Sequence, residues 1–284
     1  MPGSLATIED RILADPDDTA AWEAHAASLP AQDDPRAYLL THERRADTPA
    51  RQALLAELIA PYRASWAPAG LNPDECEWRH GFVVGATLRI AGRGDARRLA
   101  PLLADPRARL LGRLRLIIEP ATPARSLVSL AAAQLGRLRV LRAGYHARGH
   151  RIVRALARQP TLNLRTLDLR HSGLHDDSVL ALTGCAPLHE LRCLYLQHNR
   201  IGARGVAALA RWPALAGVTL LDLRDNPIGA AGAAALAESP YLGALTTLHL
   251  HADQPGRDGV RALASSTTLP RDLVRFWRSQ EAPR

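Results

Sequence analysis

"LLDLRDNPIGAAGAAALAESP" spans Leu220 to Pro240 and "CLYLQHNRIGARGVAALARWP" spans Cys193 to Pro213, one pattern written twice at an offset of 27 residues. The leucines at 194/221 and 196/223, Asn199/Asn226, Ile201/Ile228, the glycines at 202/229 and 205/232 and the closing Ala-Leu-Ala stay fixed, while the letters that change are polar or charged. Fixed apolar positions beside variable polar ones at a constant period indicate units stacked on one another to share a core.

The phrase Leu-x-x-Leu-x-Leu extends in both directions. Its central apolar residue falls at Leu88, Leu114, Leu138, Leu167, Leu194, Leu221 and Leu248, with spacings of 26, 24, 29, 27, 27 and 27. In "LRTLDLRHSGL" the leucines at 164, 167 and 169 include an alternating pair, which predicts a short strand with one buried face. Asn199 and Asn226 follow where the chain must turn, and a side-chain amide there satisfies backbone groups that no sheet partner reaches. In "IGAAGAAALA" the period changes: Ile228, Ala233, Leu236 and Ala237 share one helical face, and Pro240 ends the run. Each unit therefore reads as strand, turn, helix and return.

The run Leu-x-x-Leu-x-Leu-x-x-Asn-x-Ile-Gly-x-x-Gly-x-x-Ala-Leu-Ala resembles leucine-rich repeats of the ribonuclease-inhibitor class, over roughly residues 82–270. The resemblance implies an α/β fold: a right-handed, horseshoe-shaped solenoid of about seven strand-turn-helix units, with a parallel sheet on the concave side and helices on the convex side. The sequence departs from the pattern where Ser172 and Asp253 replace the asparagine, and where "LIIEPATPARS" and "LRAGYHARGHR" lack the Asn-x-Ile-Gly phrase. Irregular loops are expected there.

Charge divides the chain near Gly81. Residues 1–80 hold 7 Arg against 14 Asp and Glu, a net of −7, whereas residues 81–284 hold 29 Arg against 14, a net of +15, with no lysine anywhere. The first 80 residues read as a helical module. Thr7 and Asp10 are candidate caps of a first helix, Asp34-Pro35 starts another, and Thr48-Pro49 starts a third whose apolar face is Leu54, Leu55, Leu58 and Ile59. "ILADPDDTAAWEAHAASLPAQDDPRAYLL" with the later "EWRHGFV" resembles a bacterial domain, the repeat-companion domain, that precedes leucine-rich repeats. The expected organisation is thus a capping domain over 1–80, repeats over 81–270 and a C-terminal capping segment or tail over 271–284, the cap covering the apolar end that a first repeat exposes.

A composition of 47% hydrophobic but only 4% aromatic residues predicts an aliphatic core. "MPGSLATIEDRILADPDD" is acidic and lacks the apolar stretch of a signal peptide, and no run approaches membrane-spanning length, so a cytoplasmic monomer is expected. Cys76, Cys185 and Cys193 show no metal spacing and read as reduced thiols, Cys185 as a packing residue.

The residues alternating with the strand leucines point away from the core. They are Arg113 and Arg115; Arg137 and Arg139; Thr166, Asp168 and Arg170; Cys193, Tyr195 and Gln197; Leu220, Asp222 and Arg224; and Thr247, His249 and His251. This stripe is the expected site for a protein partner, with a basic end for acidic groups and Tyr195 as an aromatic anchor. The competing description is a solvated sheet on which Asp168 pairs with neighbouring arginines.

An arginine-driven nucleic-acid binder is the alternative, resting on arginines 89, 93, 97, 98, 107, 109, 113 and 115, although no aromatic residue interleaves them to stack bases. No phosphate-binding glycine loop, His-Glu-x-x-His or Gly-x-Ser-x-Gly is present, so neither an enzyme nor a cofactor is indicated. His171, His175 and Asp176, or His249 with His251, lack a third placed metal ligand.

Overall fold

The structure is a computed structural model that describes residues 4–29, 34–36, 39, 48–123, 127, 133–184, 188–251 and 253–281. Cys185 and most of the helix expected after Asp34-Pro35 lie outside these residues.

One eight-stranded sheet runs through the molecule in sequence order. Its strands are β1 (Cys76–Arg79), β2 (Phe82–Ile90), β3 (Arg113–Ile118), β4 (Val140–Arg142), β5 (Thr166–Asp168), β6 (Cys193–Tyr195), β7 (Leu220–Asp222) and β8 (Thr247–His249). From β2 to β8 every pairing is parallel, whereas β1 pairs antiparallel with β2. His80 (φ 50°) and Gly81 (φ 76°) form the two-residue turn between them, a left-handed pair that matches hairpin twist. A Cβ on Gly81 would stand 2.7 Å from Arg36 Cγ and 3.0 Å from the Trp66 ring. The division expected at 80/81 from charge therefore falls inside a hairpin whose two strands share one sheet.

The ladder corrects the alignment of the early units. Ala86, Leu114, Leu141, Leu167, Leu194, Leu221 and Leu248 stand in register, at spacings of 28, 27, 26, 27, 27 and 27. Leu88 and Leu138 are not the central residues. Leu88 pairs with Leu116, two residues further along, and Leu138 precedes its strand. The unit reads Leu138-x-x-Leu141-x-Ala143, with alanine where the others have a third leucine, and so the phrase aligns three residues early by sequence.

After each of β4 to β8 the chain forms a helix, namely Gly149–Leu156, Asp176–Thr183, Ala203–Ala210, Gly229–Ala237 and Gly256–Ala264. The leucines of the strands and the apolar faces of these helices form one core cluster running from Leu71 to Trp277. In the helix Gly229–Ala237 the buried residues are Gly232, Ala233, Leu236 and Ala237, so the small residues let neighbouring helices approach closely. The last helix, Arg271–Glu281, packs on Gly256–Ala264 and buries Leu273, Val274 and Trp277.

Asparagines join successive units. Asn199 Oδ1 accepts from the Ser172 and Leu174 backbone N–H groups, both at 3.0 Å, while its amide nitrogen donates to the carbonyls of Leu169 (3.0 Å) and Leu196 (2.7 Å). Asn226 repeats the arrangement one unit on, accepting from Ile201 N–H at 3.0 Å and donating to the Leu196 and Leu223 carbonyls. Where the asparagine is missing, other side chains substitute. The Ser172 hydroxyl donates to the Ala143 carbonyl at 3.2 Å, and Gln254, the neighbour of Asp253, donates to the Leu223 and Asn226 carbonyls. In "LRAGYHARGHR", His146 takes the place: Nε2 is 2.6 Å from the Ala143 carbonyl and Nδ1 accepts from Arg148 N–H at 3.0 Å. That pair of bonds fits the neutral ring, and burial lowers the pKa of His146 accordingly.

Two N-terminal helices, Leu5–Ala14 and Thr19–Ser28, form a smaller cluster in which Ile8, Ile12, Ala21 and Trp22 meet Phe82, Val84 and Leu110. Ser4 and Asp18 cap them, and Thr7 and Asp10 lie inside the first helix rather than at its start. The third expected helix spans Pro49–Trp66. Its predicted apolar face is not buried: Leu54 is 56% and Leu58 52% exposed, with Leu55 and Ile59 half-buried. The helix meets the sheet through its C-terminal end, where Trp66 stands beside Gly81 and Ala67 is buried.

Candidate functional site

The ladder register sorts the sheet face opposite the core into columns. One reads Arg113, Val140, Thr166, Cys193, Leu220 and Thr247, and the next reads Arg115, Arg142, Asp168, Tyr195, Asp222 and His249. Two residues further along each strand stand Ile117, Gly144, Arg170, Gln197, Arg224 and His251. Arg137 and Arg139 do not belong to the face. Arg137 lies in the single helical turn Leu135–Arg137, and Arg139 donates to the Asn163 carbonyl at 3.3 Å. Val140 and Arg142 hold the positions that the early alignment assigned to them.

The two aspartates face this surface yet are almost buried, Asp168 at 5% and Asp222 at 1% exposure. Each is covered by the arginine two residues on. Arg170 Nη2 lies 2.8 Å from Asp168 Oδ2, and Arg224 Nη2 lies 2.6 Å from Asp222 Oδ2. The backbone N–H of each arginine also donates to its aspartate, at 3.2 Å in both. Arg170 further lies over the Tyr195 ring at 5.2 Å, a cation–π contact between neighbouring strands. Burial raises the Tyr195 pKa, which keeps the phenol neutral. The buried Gln197 Oε1 has no hydrogen-bond partner among the described residues.

Most arginines of the early units are also paired. Arg89 meets Glu75 (3.5 Å) and Glu119 (3.8 Å), and Arg113 meets Glu77 (2.8 Å). Within the cluster proposed for phosphates, Arg98 pairs with Asp95 (3.5 Å), Arg107 with Asp105 (2.7 Å) and Arg109 with Glu9 (3.2 Å). Five of the eight arginines in the dense positive run thus meet carboxylates, two from within the run (Asp95, Asp105) and the others from outside it (Glu9, Glu75, Glu77 and Glu119).

Beside the face runs a column that the sequence reading missed. Tyr145, His171, His198 and Asp225 occupy equivalent positions, and all are non-glycine residues with positive φ, between 50° and 64°. Tyr145 stacks on His171 at 4.9 Å and His171 on His198 at 4.0 Å. Asp225 Oδ2 then receives His198 Nε2 at 3.1 Å and His251 Nε2 at 3.3 Å. Partial burial and the neighbouring His198 and Arg170 lower the His171 pKa. The signal was present, since each member immediately precedes the asparagine position or its substitute.

Among the described residues no group of three or more His, Cys, Asp or Glu is arranged to hold a metal ion. Cys76 and Cys193 are free thiols, and burial, with Glu75 adding to it, pushes the Cys76 thiol up to about 11, far from a reactive thiolate. No helix among the described residues is long and apolar enough to cross a membrane.

No curated protein matches the chain. The leucine-rich repeat family model matches residues 162–182, 189–210 and 218–237, so the chain carries leucine-rich repeats across β5, β6 and β7 and the helices that follow them.

Proposed function

We propose that the protein is a non-enzymatic interaction module that binds a protein partner along the sheet face, the concave side of a ribonuclease-inhibitor-like horseshoe. Leucine-rich repeats are typical protein-interaction modules. What carries the reading for this chain is a continuous face of parallel strands in which the core leucines are constant and the outward residues vary from unit to unit. Tyr195 and Arg224 supply amphipathic and charged contact area near the middle of the surface. In the same reading the N-terminal helices are a companion domain that caps the first repeats, and the chain acts as a cytoplasmic monomer of bacterial type.

The test is affinity capture from native lysate after nuclease treatment, comparing the wild type with Tyr195→Ala/Arg224→Ala. Asp222 is left intact because it is buried. A protein held by the wild type and lost by a variant of equal thermal midpoint supports the reading; equal retention by both refutes it for this part of the face.

A further inference from the structure

Two arginines on the sheet face stand apart from the others. Arg115 and Arg142 are register partners on adjacent strands, both exposed, and neither makes an ion pair or hydrogen bond among the described residues. By contrast Arg89, Arg113, Arg170 and Arg224 all have carboxylate partners. Strands lie about 4.8 Å apart, and like charges placed directly opposite one another are destabilising. Arg142 also stands opposite Asp168, but Arg170 already holds that carboxylate at 2.8 Å, so among the described residues neither arginine of the pair has a carboxylate of its own.

The same two residues line a hollow of about 310 Å³ whose other walls include Gly144, Tyr145, Asp168 and Arg170. The hollow exists where Gly144 stands, because equivalent positions in the next units carry Arg170, Gln197 and Arg224. A Cβ on Gly144 would lie 2.6 Å from the Arg170 carbonyl oxygen, so no larger residue fits without displacing backbone. Asp168 is the one carboxylate in the lining, and Arg170 neutralises it at 2.8 Å. Tyr145, 65% exposed, closes one side with its ring held by the stack on His171.

We propose that this hollow is an oxyanion subsite, in which Arg115 and Arg142 grip an acidic side chain of the protein partner, carboxylate or phosphoryl, beside the Tyr145 ring. A guanidinium presents its N–H donors as a fork that matches either group. A bound anion turns the like-charge pair into a bridged one, and the adjacent ring accepts the aliphatic stem of the acidic residue. The proposal rests on the sheet face being the binding face.

The test uses the full chain and labelled peptides of defined composition: a glutamate-rich peptide, the same frame carrying one phosphoserine, a glutamine counterpart, and oligo-dT of matching charge. Fluorescence polarisation is read with wild type, Arg115→Gln/Arg142→Gln, and Arg93→Gln/Arg97→Gln, which removes the same charge from a helix after β2. The expected result is binding of an acidic peptide but not the glutamine one, weakened about tenfold or more by the first variant and unchanged by the second. Preference between glutamate and phosphoserine identifies the source of the oxyanion. The proposal is overturned if the wild type binds no acidic peptide, if both variants weaken binding equally, or if oligo-dT binds more tightly than either peptide. Its failure, alongside a native partner that Tyr195→Ala/Arg224→Ala still loses, leaves the binding face in place and removes only the subsite.

Discussion

Replacing Asn199 by alanine tests how the units are held together. The amide oxygen is the acceptor for the Ser172 and Leu174 N–H groups, and neither has another acceptor among the described residues. Alanine leaves both donors buried and unmade, along with lost donation to the Leu169 and Leu196 carbonyls. At about 1–3 kcal/mol for each buried donor, the cost is about 2–6 kcal/mol. Against a typical total stability of about 5–15 kcal/mol, that is a large fraction. Urea unfolding measures it as a fall in midpoint. Residue-resolved hydrogen exchange places it: the Ser172 and Leu174 amides should exchange at least about tenfold faster, while Ile201, whose N–H is held by Asn226, keeps its protection. Asn199→Asp separates the two halves of the interaction, because a carboxylate still accepts from both N–H groups yet faces the Leu169 and Leu196 carbonyls without a donor. A loss below about 1 kcal/mol for Asn199→Ala, or exchange that rises equally at Ser172 and Ile201, would refute the reasoning.

Other substitutions probe the remaining features. Gly144→Ala should cost about 1–3 kcal/mol in thermal or urea unfolding, because its Cβ meets the Arg170 carbonyl at 2.6 Å; a neutral result would show that the backbone yields there. Leu223→Ala, fully buried, should cost about 2–5 kcal/mol, whereas Leu54→Glu/Leu58→Glu on the exposed stripe should cost less than about 0.5 kcal/mol per residue, measured as urea midpoints. Stability should fall as pH drops below about 6.5, because burial lowers the pKa values of His25 and His146 and the unfolded chain then binds more protons than the folded one. His150 and His171 act with the same sign, while the lowered Asp18, Asp34 and Asp105 matter only below their ordinary value of 3.8. His146→Asn, which restores the residue used in later units, should flatten the urea midpoint against pH between about pH 7.5 and pH 5.5; an unchanged slope would assign the effect elsewhere.

How much of this was legible depended on local redundancy. The units at Leu167, Leu194 and Leu221 were readable because three leucines and a polar turn residue agree on one register. In the unit before them, Ala143 replaces the last leucine and His146 the asparagine, so pattern alone centred the unit on Leu138 instead of Leu141. The inter-strand ladder sets the centre at Leu141, and with it places Arg142 instead of Arg139 in the outward column. Alternation put Asp168 and Asp222 in the column that the ladder aligns with Tyr195. It carries no information on whether a following arginine folds back over its own neighbour, which is what buries them. The N-terminal helices show the same limit: an apolar stripe such as Leu54 and Leu58 states what could be covered, while coverage depends on long-range packing.

Each asparagine bonds its own unit and the one before it, and this makes the chain divisible. Asn199 contacts Leu169, Ser172 and Leu174, while Asn226 makes the same kind of bonds to Leu196 and Ile201. Excising residues 194–220 would join Cys193 to Leu221 and place Asn226 against Leu169, Ser172 and Leu174, the groups Asn199 holds now. Such a junction is seamless because a 27-residue period is both the covalent repeat and the mechanical one. Adding or removing one 27-residue unit here therefore changes the length of the array while keeping the asparagine bonds between neighbouring units.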